Sequence, residues 1–155
     1  MIGGADGAVK EALYLARFAR QVSIVCVEDE LACIAEFRRK TAATPNIQVV
    51  PATRVGALHG ADRVEALDLV SLADGRTRTV EDDGCGVFVY AGSEPNTALY
   101  AGELRLENGF IPTNERMETS ISGVYAAGDI RAKQLRQVAT AVSDGAIAAV
   151  NAATL

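Results

Sequence analysis

Between Gly123 and Val150 the chain reads GVYAAGDIRAKQLRQVATAVSDGAIAAV, a run that few architectures can accommodate. A short apolar strand, Val124-Tyr125-Ala126-Ala127, breaks at once into Gly128-Asp129. A polar loop follows, and from about Arg136 an alanine-rich helix runs toward the C-terminus. Small residues at Ala139, Ala141, Gly145, Ala146, Ala148 and Ala149 let that helix lie close to a neighbouring backbone or a flat ring. A strand ending in Gly-Asp with a helix N-terminus a few residues on suits hydroxyls and phosphates. The glycine admits close approach, the carboxylate accepts from sugar hydroxyls, and the helix end offers N–H groups. Without a ligand, the same pattern is a helix packed on a sheet.

The chain before it alternates between two kinds of order. Gly3 to Ala8 forms a turn feeding a helix over Val9 to Arg20, with Asp6 where the helix dipole favours an acid. Gln21 to Val27 is an apolar strand, Glu28-Asp29-Glu30 opens a second helix over about Asp29 to Thr41, and Ile47 to Val50 is another strand. Helix, strand, helix, strand is the alternation of a parallel sheet. Thr53 to Leu58, Val64 to Leu72 and Thr77 to Glu81 are short and partly alternating, and Asp74-Gly75 marks a hairpin, so the middle reads as an antiparallel meander. Gly86 to Tyr90 reads as a buried strand, and Asn108-Gly109 turns a second hairpin from Leu104–Glu107 into Phe110-Ile111.

Composition removes several function classes. A chain of 155 residues holds one domain with a real core, or pieces of two. No apolar run approaches a membrane span, and Met1-Ile2-Gly3-Gly4 does not open a signal peptide. A net charge of −5 without a dense basic cluster argues against nucleic acid; Arg38-Arg39-Lys40 reads as a solvated helix end. Cys26, Cys33 and Cys85 form neither a Cys-x-x-Cys pair nor a zinc spacing, which fits a reducing cytoplasm. Cys26 in a strand and Cys33 in a helix read as small core residues, and His59 as an exposed turn residue without a catalytic role.

The opening turn nearly fits the dinucleotide fingerprint. Gly3-x-Ala5-x-x-Ala8 matches Gly-x-Gly-x-x-Ala with alanine in the middle place, where a methyl group should weaken contact with a pyrophosphate. Glu28 stands 20 residues after Ala8, at the C-terminal end of the following strand, where an acid suits the hydroxyls of an adenosine ribose.

Gly3-Gly4-Ala5-Asp6-Gly7-Ala8-Val9-Lys10-Glu11-Ala12-Leu13-Tyr14-Leu15 resembles the pyridine-nucleotide domain of the low-molecular-weight thioredoxin reductases. Val87 to Asn96 is similar to that domain's last strand and its Gly-x-x-Pro-Asn turn, with Gly92 in the turn. Gly128-Asp129, Arg136-Gln137 and the Ser143 to Ala149 run resemble the family's flavin-binding C-terminal segment. The resemblance covers essentially the whole chain. It implies a Rossmann-like three-layer α/β nucleotide-binding domain with a β-meander over residues 1–90, first strand truncated. Residues 91–155 would be the C-terminal part of a second, FAD-binding domain.

The implied activity is a flavoprotein disulfide oxidoreductase, passing hydride from NAD(P)H to FAD and on to a cysteine pair. A thioredoxin-like disulfide protein is the implied partner and a homodimer the implied assembly. Gly3, Gly4, Ala5, Asp6, Gly7 and Glu28 would meet the nicotinamide nucleotide, and Gly92, in the turn back to the flavin domain, would be a further cofactor-binding residue. Gly128 and Asp129 would meet the ribityl and pyrophosphate of FAD, with Arg136, Gln137 and Val138 beside its ring system. The family's redox Cys-x-x-Cys, its first FAD loop and most of the first strand of the nucleotide domain are expected upstream of Met1. A parallel sheet without that strand should expose apolar edges and lose the wall behind the Gly-rich turn. The family holds the 2′-phosphate of NADPH with His-Arg-Arg and a further arginine; Val27, Glu28 and Ala32 stand in the arginine places here, so NADH is expected over NADPH. Two other readings stay open: a fragment with the fold but no turnover, and a redox-silent nucleotide-binding or dimerisation module.

Overall fold

Strand β1 (Val22–Val25) pairs in parallel with β2 (Ile47–Val50), Val22 opposite Ile47 through Val25 opposite Val50. Parallel pairing needs a crossover, and α2 (Ala35–Ala42) supplies it. The computed structural model describes residues 1–82 and 84–154, divided into two units, Met1–Gly92 and Ser93–Leu155.

In the first unit the pleat of β1 turns Val22 and Ile24 into one buried cluster with Val9 and Ala12 of α1 (Asp6–Leu15), Cys26, Leu31 and Cys33. The chain start completes the ladder. Ile2 forms parallel bridges to Val25 on one side and Val89 on the other. Gly3 N donates to Val25 O at 2.8 Å, Val25 N to Met1 O at 2.8 Å, Ile2 N to Phe88 O at 2.8 Å and Tyr90 N to Ile2 O at 2.7 Å. The order across the sheet is therefore the Val89 segment, Ile2, β1 and β2, all parallel, with helices in the crossovers: a Rossmann-like α/β arrangement.

Several expected boundaries move, each for a local reason. Helix α1 begins at Asp6, not Val9, because Val9 N already bonds Ala5 O at 3.0 Å, and it ends at Leu15. Beyond it Asn46 Nδ2 donates to the carbonyls of Ala16 and Ala19 at 2.8 and 3.1 Å, satisfying the helix end. Helix α2 begins at Ala35, not Asp29. Residues 28–34 are a loop whose Leu31 and Cys33 are drawn into the core, so Cys33 is buried but not helical. The Arg38-Arg39-Lys40 run is exposed as expected, with Arg39 and Lys40 in the last turn of α2, while Arg38 Nη1 also donates to Leu31 O at 3.2 Å and Cys33 O at 2.6 Å. The expected buried strand over 86–90 is one bridge at Val89, paired there with Ile2, and Val89 is 65% exposed. The wall behind the Gly-rich turn, expected to be lost, is built by Met1 and Ile2, while apolar exposure falls on Phe88 and Val89.

The meander is present as β3 (Thr53–His59), β4 (Ala66–Ser71) and β5 (Thr77–Glu81), antiparallel throughout. It grows from the end of β1: Thr53 N donates to Cys26 O at 2.9 Å and Ala52 N to Glu28 O at 2.8 Å. His59 closes β3 instead of lying in a turn, and its Nε2 is 2.9 Å from Asp68 Oδ2 on β4.

The second unit has little regular sheet among its described residues. Asn108 (φ 50°) and Gly109 (φ 84°) form the expected tight turn, with Glu107 and Phe110 exchanging both backbone bonds. The expected strand before Gly128 is an extended segment with one antiparallel bridge, Glu118 to Tyr125. A 3-10 turn at Gly128–Ile130 precedes α3 (Val138–Ala152), which starts two residues later than Arg136.

Two glycines separate backbone strain from steric clash. A Cβ on Gly3 (φ 121°) would lie 2.2 Å from Tyr90 O, whereas one on Gly75 (φ 71°) would meet nothing within 4 Å. Gly75→Ala should cost about 1–2 kcal/mol, the left-handed penalty alone. Gly3→Ala should cost about 3 kcal/mol or more, since overpacking is added. Urea denaturation of both variants checks this; equal losses would defeat the steric explanation.

Candidate functional site

In the first unit the end of β1 and the start of α1 converge. Ala5 is the N-cap of α1, extended and without a side-chain cap, so the N–H groups of the first turn face outward at a positive dipole end. Gly4 is buried, and a Cβ there would lie 2.8 Å from Cys26 Cβ and 3.2 Å from Glu28 Oε2. The Glu28 carboxylate therefore lies beside the glycine turn, an exposed hydrogen-bond acceptor. Asp6 turns the other way, its Oδ1 accepting Ile34 N at 2.8 Å and tying the start of α1 to the N-cap of α2. Gly7 is exposed and faces the Tyr90 ring, 3.4 Å from a Cβ placed there. Gly92 (φ 106°) ends the unit in open space, two residues after Tyr90.

Gly3, Gly4, Ala5 and Glu28 are thus brought together, Asp6 serves the loop after Glu28, and Gly92 has no contact with the turn among the described interactions. Tyr90, which lines Gly3 with its carbonyl and Gly7 with its ring, was not singled out in the sequence. Its place beyond an apolar run is the only signal that it would. Burial pushes the Cys26 thiol up and the Glu28 charge adds to that; burial likewise raises Cys33 and Cys85. None of the three is poised as a thiolate nucleophile. Among the described residues no His/Cys/Asp/Glu group could hold a metal ion, and no helix is long and apolar enough to cross a membrane.

In the second unit Gly128 (φ 84°) opens the 3-10 turn, and a Cβ on it would sit 3.8 Å from Ala141 Cβ, so the turn lies against the small-residue side of α3. Asp129 presents its side chain outward, 64% exposed. The Arg136 guanidinium stacks 3.9 Å from the centre of the Phe110 ring, and its Nε donates to Asp129 O at 3.2 Å. Gln137 is the N-cap of α3, its N–H donating to Thr140 Oγ1 at 3.2 Å. Val138 is 82% exposed, and the first turn of α3 carries no acid. Gly128, Asp129, Arg136 and Gln137 form one continuous edge, and Arg136 holds the loop's backbone instead of projecting from it.

Beneath this edge is a charge network that the sequence reading did not single out. Asp144 of α3 is buried; its Oδ1 is 2.7 Å from Arg131 Nη1 and its Oδ2 2.8 Å from Lys133 Nζ. Gly128 N donates to the same Oδ2 at 3.1 Å, and Arg131 Nε donates to Thr113 Oγ1 at 2.7 Å. A lone acid inside an alanine-rich helix, 13 and 11 residues after two cations, was the available signal.

A model of the pyridine nucleotide-disulphide oxidoreductase family matches residues 1–145. The chain belongs to that family, on its low-molecular-weight thioredoxin reductase branch. It is similar to the thioredoxin reductase of Peptoclostridium acidaminophilum, 41% identical over 98% of this chain and 50% of that protein. The thioredoxin reductase of Bacillus subtilis (strain 168) is 37% identical over 96% of this chain and 47% of its own length. Among solved structures, Lactococcus lactis thioredoxin reductase in its FR conformation superposes with a TM-score of 0.84 at 32% identity, covering 99% of this chain and 50% of that one. The chain spans about half the length of the curated relatives it matches.

The network sets a pH dependence. Burial alone would raise Asp144, but hydrogen bonds from Lys133, Arg131 and Gly128 N outweigh it and lower the carboxyl from 3.8 to about 2. The unfolded chain therefore binds the proton first as pH falls. The contribution, about 2 kcal/mol for a shift of this size, is complete above pH ~4 and lost between there and pH ~2. Acid unfolding of the Asp144→Asn variant should lack this component; a wild-type profile flat over that window would contradict it.

Proposed function

We propose that Met1–Gly92 binds a nicotinamide nucleotide, NADH before NADPH, and that Ser93–Leu155 supplies one part of an FAD site in a flavoprotein disulfide reductase. FAD, when bound, supplies the two-electron relay between nicotinamide and a cystine. This chain holds no Cys-x-x-Cys, so the reducible pair belongs to another part of the complete protein or to a second chain. A thioredoxin-like protein is the proposed disulfide substrate, and a cytoplasmic homodimer the proposed form.

The observation that carries the nucleotide assignment is the Glu28 carboxylate 3.2 Å from the Cβ position of Gly4, at the open N-terminus of α1. A ribose 2′-hydroxyl beside that turn would donate to Glu28. A 2′-phosphate would instead meet a like charge: at about 4 Å and an effective dielectric near 20 the repulsion is roughly 4 kcal/mol before screening. Val27 and Ala32 are both exposed and carry no charge to offset it. Each arginine–phosphate bond absent from those places forgoes about 1.5–3 kcal/mol.

The flavin assignment is supported by the second unit's edge. Asp129 is an exposed acceptor for sugar hydroxyls, the first turn of α3 carries no acid opposing its dipole, and the Gly128 turn packs close to Ala141 of that helix.

Titration of the full-length protein with both nucleotides should give tighter NADH binding. Changing Val27, Glu28 and Ala32 together to arginine should move the preference toward NADPH. Tighter NADPH binding by the unaltered protein would defeat the electrostatic reading, and binding of neither would favour a nucleotide site that has lapsed. Asp129→Ala should weaken FAD by about 1.5–3 kcal/mol, the worth of a charge-assisted bond, as read by flavin fluorescence.

A further inference from the structure

We propose that Asp144 is a positioning residue for the flavin edge: through Gly128 N–H, Arg131 and Lys133 it fixes the Gly128-Asp129 turn against α3 without itself touching the flavin. The inference rests on the FAD assignment above and adds to it a residue that would bind nothing.

The side chains of Arg131, Lys133 and Asp144 are only 12%, 12% and 10% exposed. Burying three ionic groups carries a desolvation cost that their attraction need not recover, and replacing such a cluster by apolar side chains of like volume is often neutral or stabilising. Stability alone is a weak reason for it. What the cluster does specify is geometry. The one carboxylate takes the backbone N–H of Gly128, the residue that bends the chain, at 3.1 Å. It takes Arg131 at the end of the 3-10 turn at 2.7 Å and Lys133 two residues further at 2.8 Å. Three points of one short loop are thereby referred to one atom group on a helix of 15 residues.

Arg131 is held in turn by Thr113, and Lys133 Nζ also reaches Thr140 Oγ1 at 3.3 Å. Arg136 pins the loop from its other end, donating to the carbonyls of Asp129 and Arg131 at 3.2 and 3.4 Å. An apolar substitute could fill the volume, but it could not name a position for Gly128 N–H. That is the distinction between packing and positioning.

The test replaces the cluster by apolar groups in the full-length protein, Arg131→Met, Lys133→Met and Asp144→Leu together. Thermal midpoint of the flavin-free form, FAD affinity by fluorescence titration and amide hydrogen exchange at Gly128 are then compared with wild type. The expected result is an unchanged or higher midpoint, Gly128 protection lost, and FAD bound at least tenfold more weakly. A stable triple variant that binds FAD as wild type does, or keeps Gly128 protected, overturns the proposal. Should the triple variant not fold, Asp144→Glu decides: it keeps the charge and moves the carboxylate, so FAD affinity should fall severalfold, and an unchanged affinity overturns the proposal. Wild-type protein that binds no FAD would sink the flavin reading itself. That outcome is distinct, because Gly128 protection would still respond to Asp144.

Discussion

The first unit depends on how closely the chain passes itself at Met1 to Gly4. Backbone bonds from this segment reach β1 on one side and the 88–90 segment on the other. Such spacing leaves no room for side chains at the crossing. Gly3 lies under the Tyr90 carbonyl and Gly4 against Cys26. With those contacts set, α1 must start at Asp6, and β1 must end with Glu28 beside the turn. The acid reaches the mouth of the helix because the sheet is tight, not because anything draws it there. The loop that follows, with Leu31 and Cys33 buried, anchors the same corner to the core.

The two units solve their electrostatics differently. In the first, carboxylates stay in water: Glu28 and Asp6 are both exposed, and the core cluster is apolar save for two thiols. In the second, a carboxylate is taken inside and matched with two cations and a backbone N–H. The difference follows from the secondary structure available. A parallel ladder satisfies its own backbone, so the glycine turn is held by strand bonds. Residues 128–137 join a ladder only at the single parallel bridge of Arg131 to Ile111, and side chains supply much of the remaining hold. A ligand edge built on irregular backbone is only as definite as the groups that brace it.

Much of this was legible in the sequence because it depends on local pattern. Apolar runs located β1 and β2, Asp74-Gly75 located the β4–β5 hairpin, and the Asn108-Gly109 turn adopts the left-handed angles that such pairs favour. The Glu28 placement followed from a spacing that one strand and one helix enforce. What was not legible came from tertiary demands on ambiguous stretches. Glu28 to Ile34 has the acids of a helix start, yet the core takes Leu31 and Cys33 and leaves a loop. Gly86 to Tyr90 has the apolarity of a central strand, yet it is bridged only at Val89, to Ile2, with Val89 in solvent. The Asp144 network was invisible for another reason. Its members are common surface residue types, and only their convergence, which no periodicity encodes, makes them a unit.

The same contacts change what the degenerate fingerprint means. Gly3 and Gly4 answer to the protein: one is held by a φ of 121° and a carbonyl 2.2 Å from its Cβ position, the other by Cys26. Neither could change without moving the sheet, whatever the turn binds. Ala5 is different, being exposed, in an ordinary extended conformation (φ −82°, ψ 174°), and at the helix mouth. A methyl group there costs the fold nothing. Its only consequence is for a group approaching the N–H donors of the first turn of α1, which must stand off from it. The fold places no demand at position 5, and under the proposed nucleotide reading the alanine suits a nucleotide held mainly through Glu28 and the ribose and less through close backbone contact with its diphosphate.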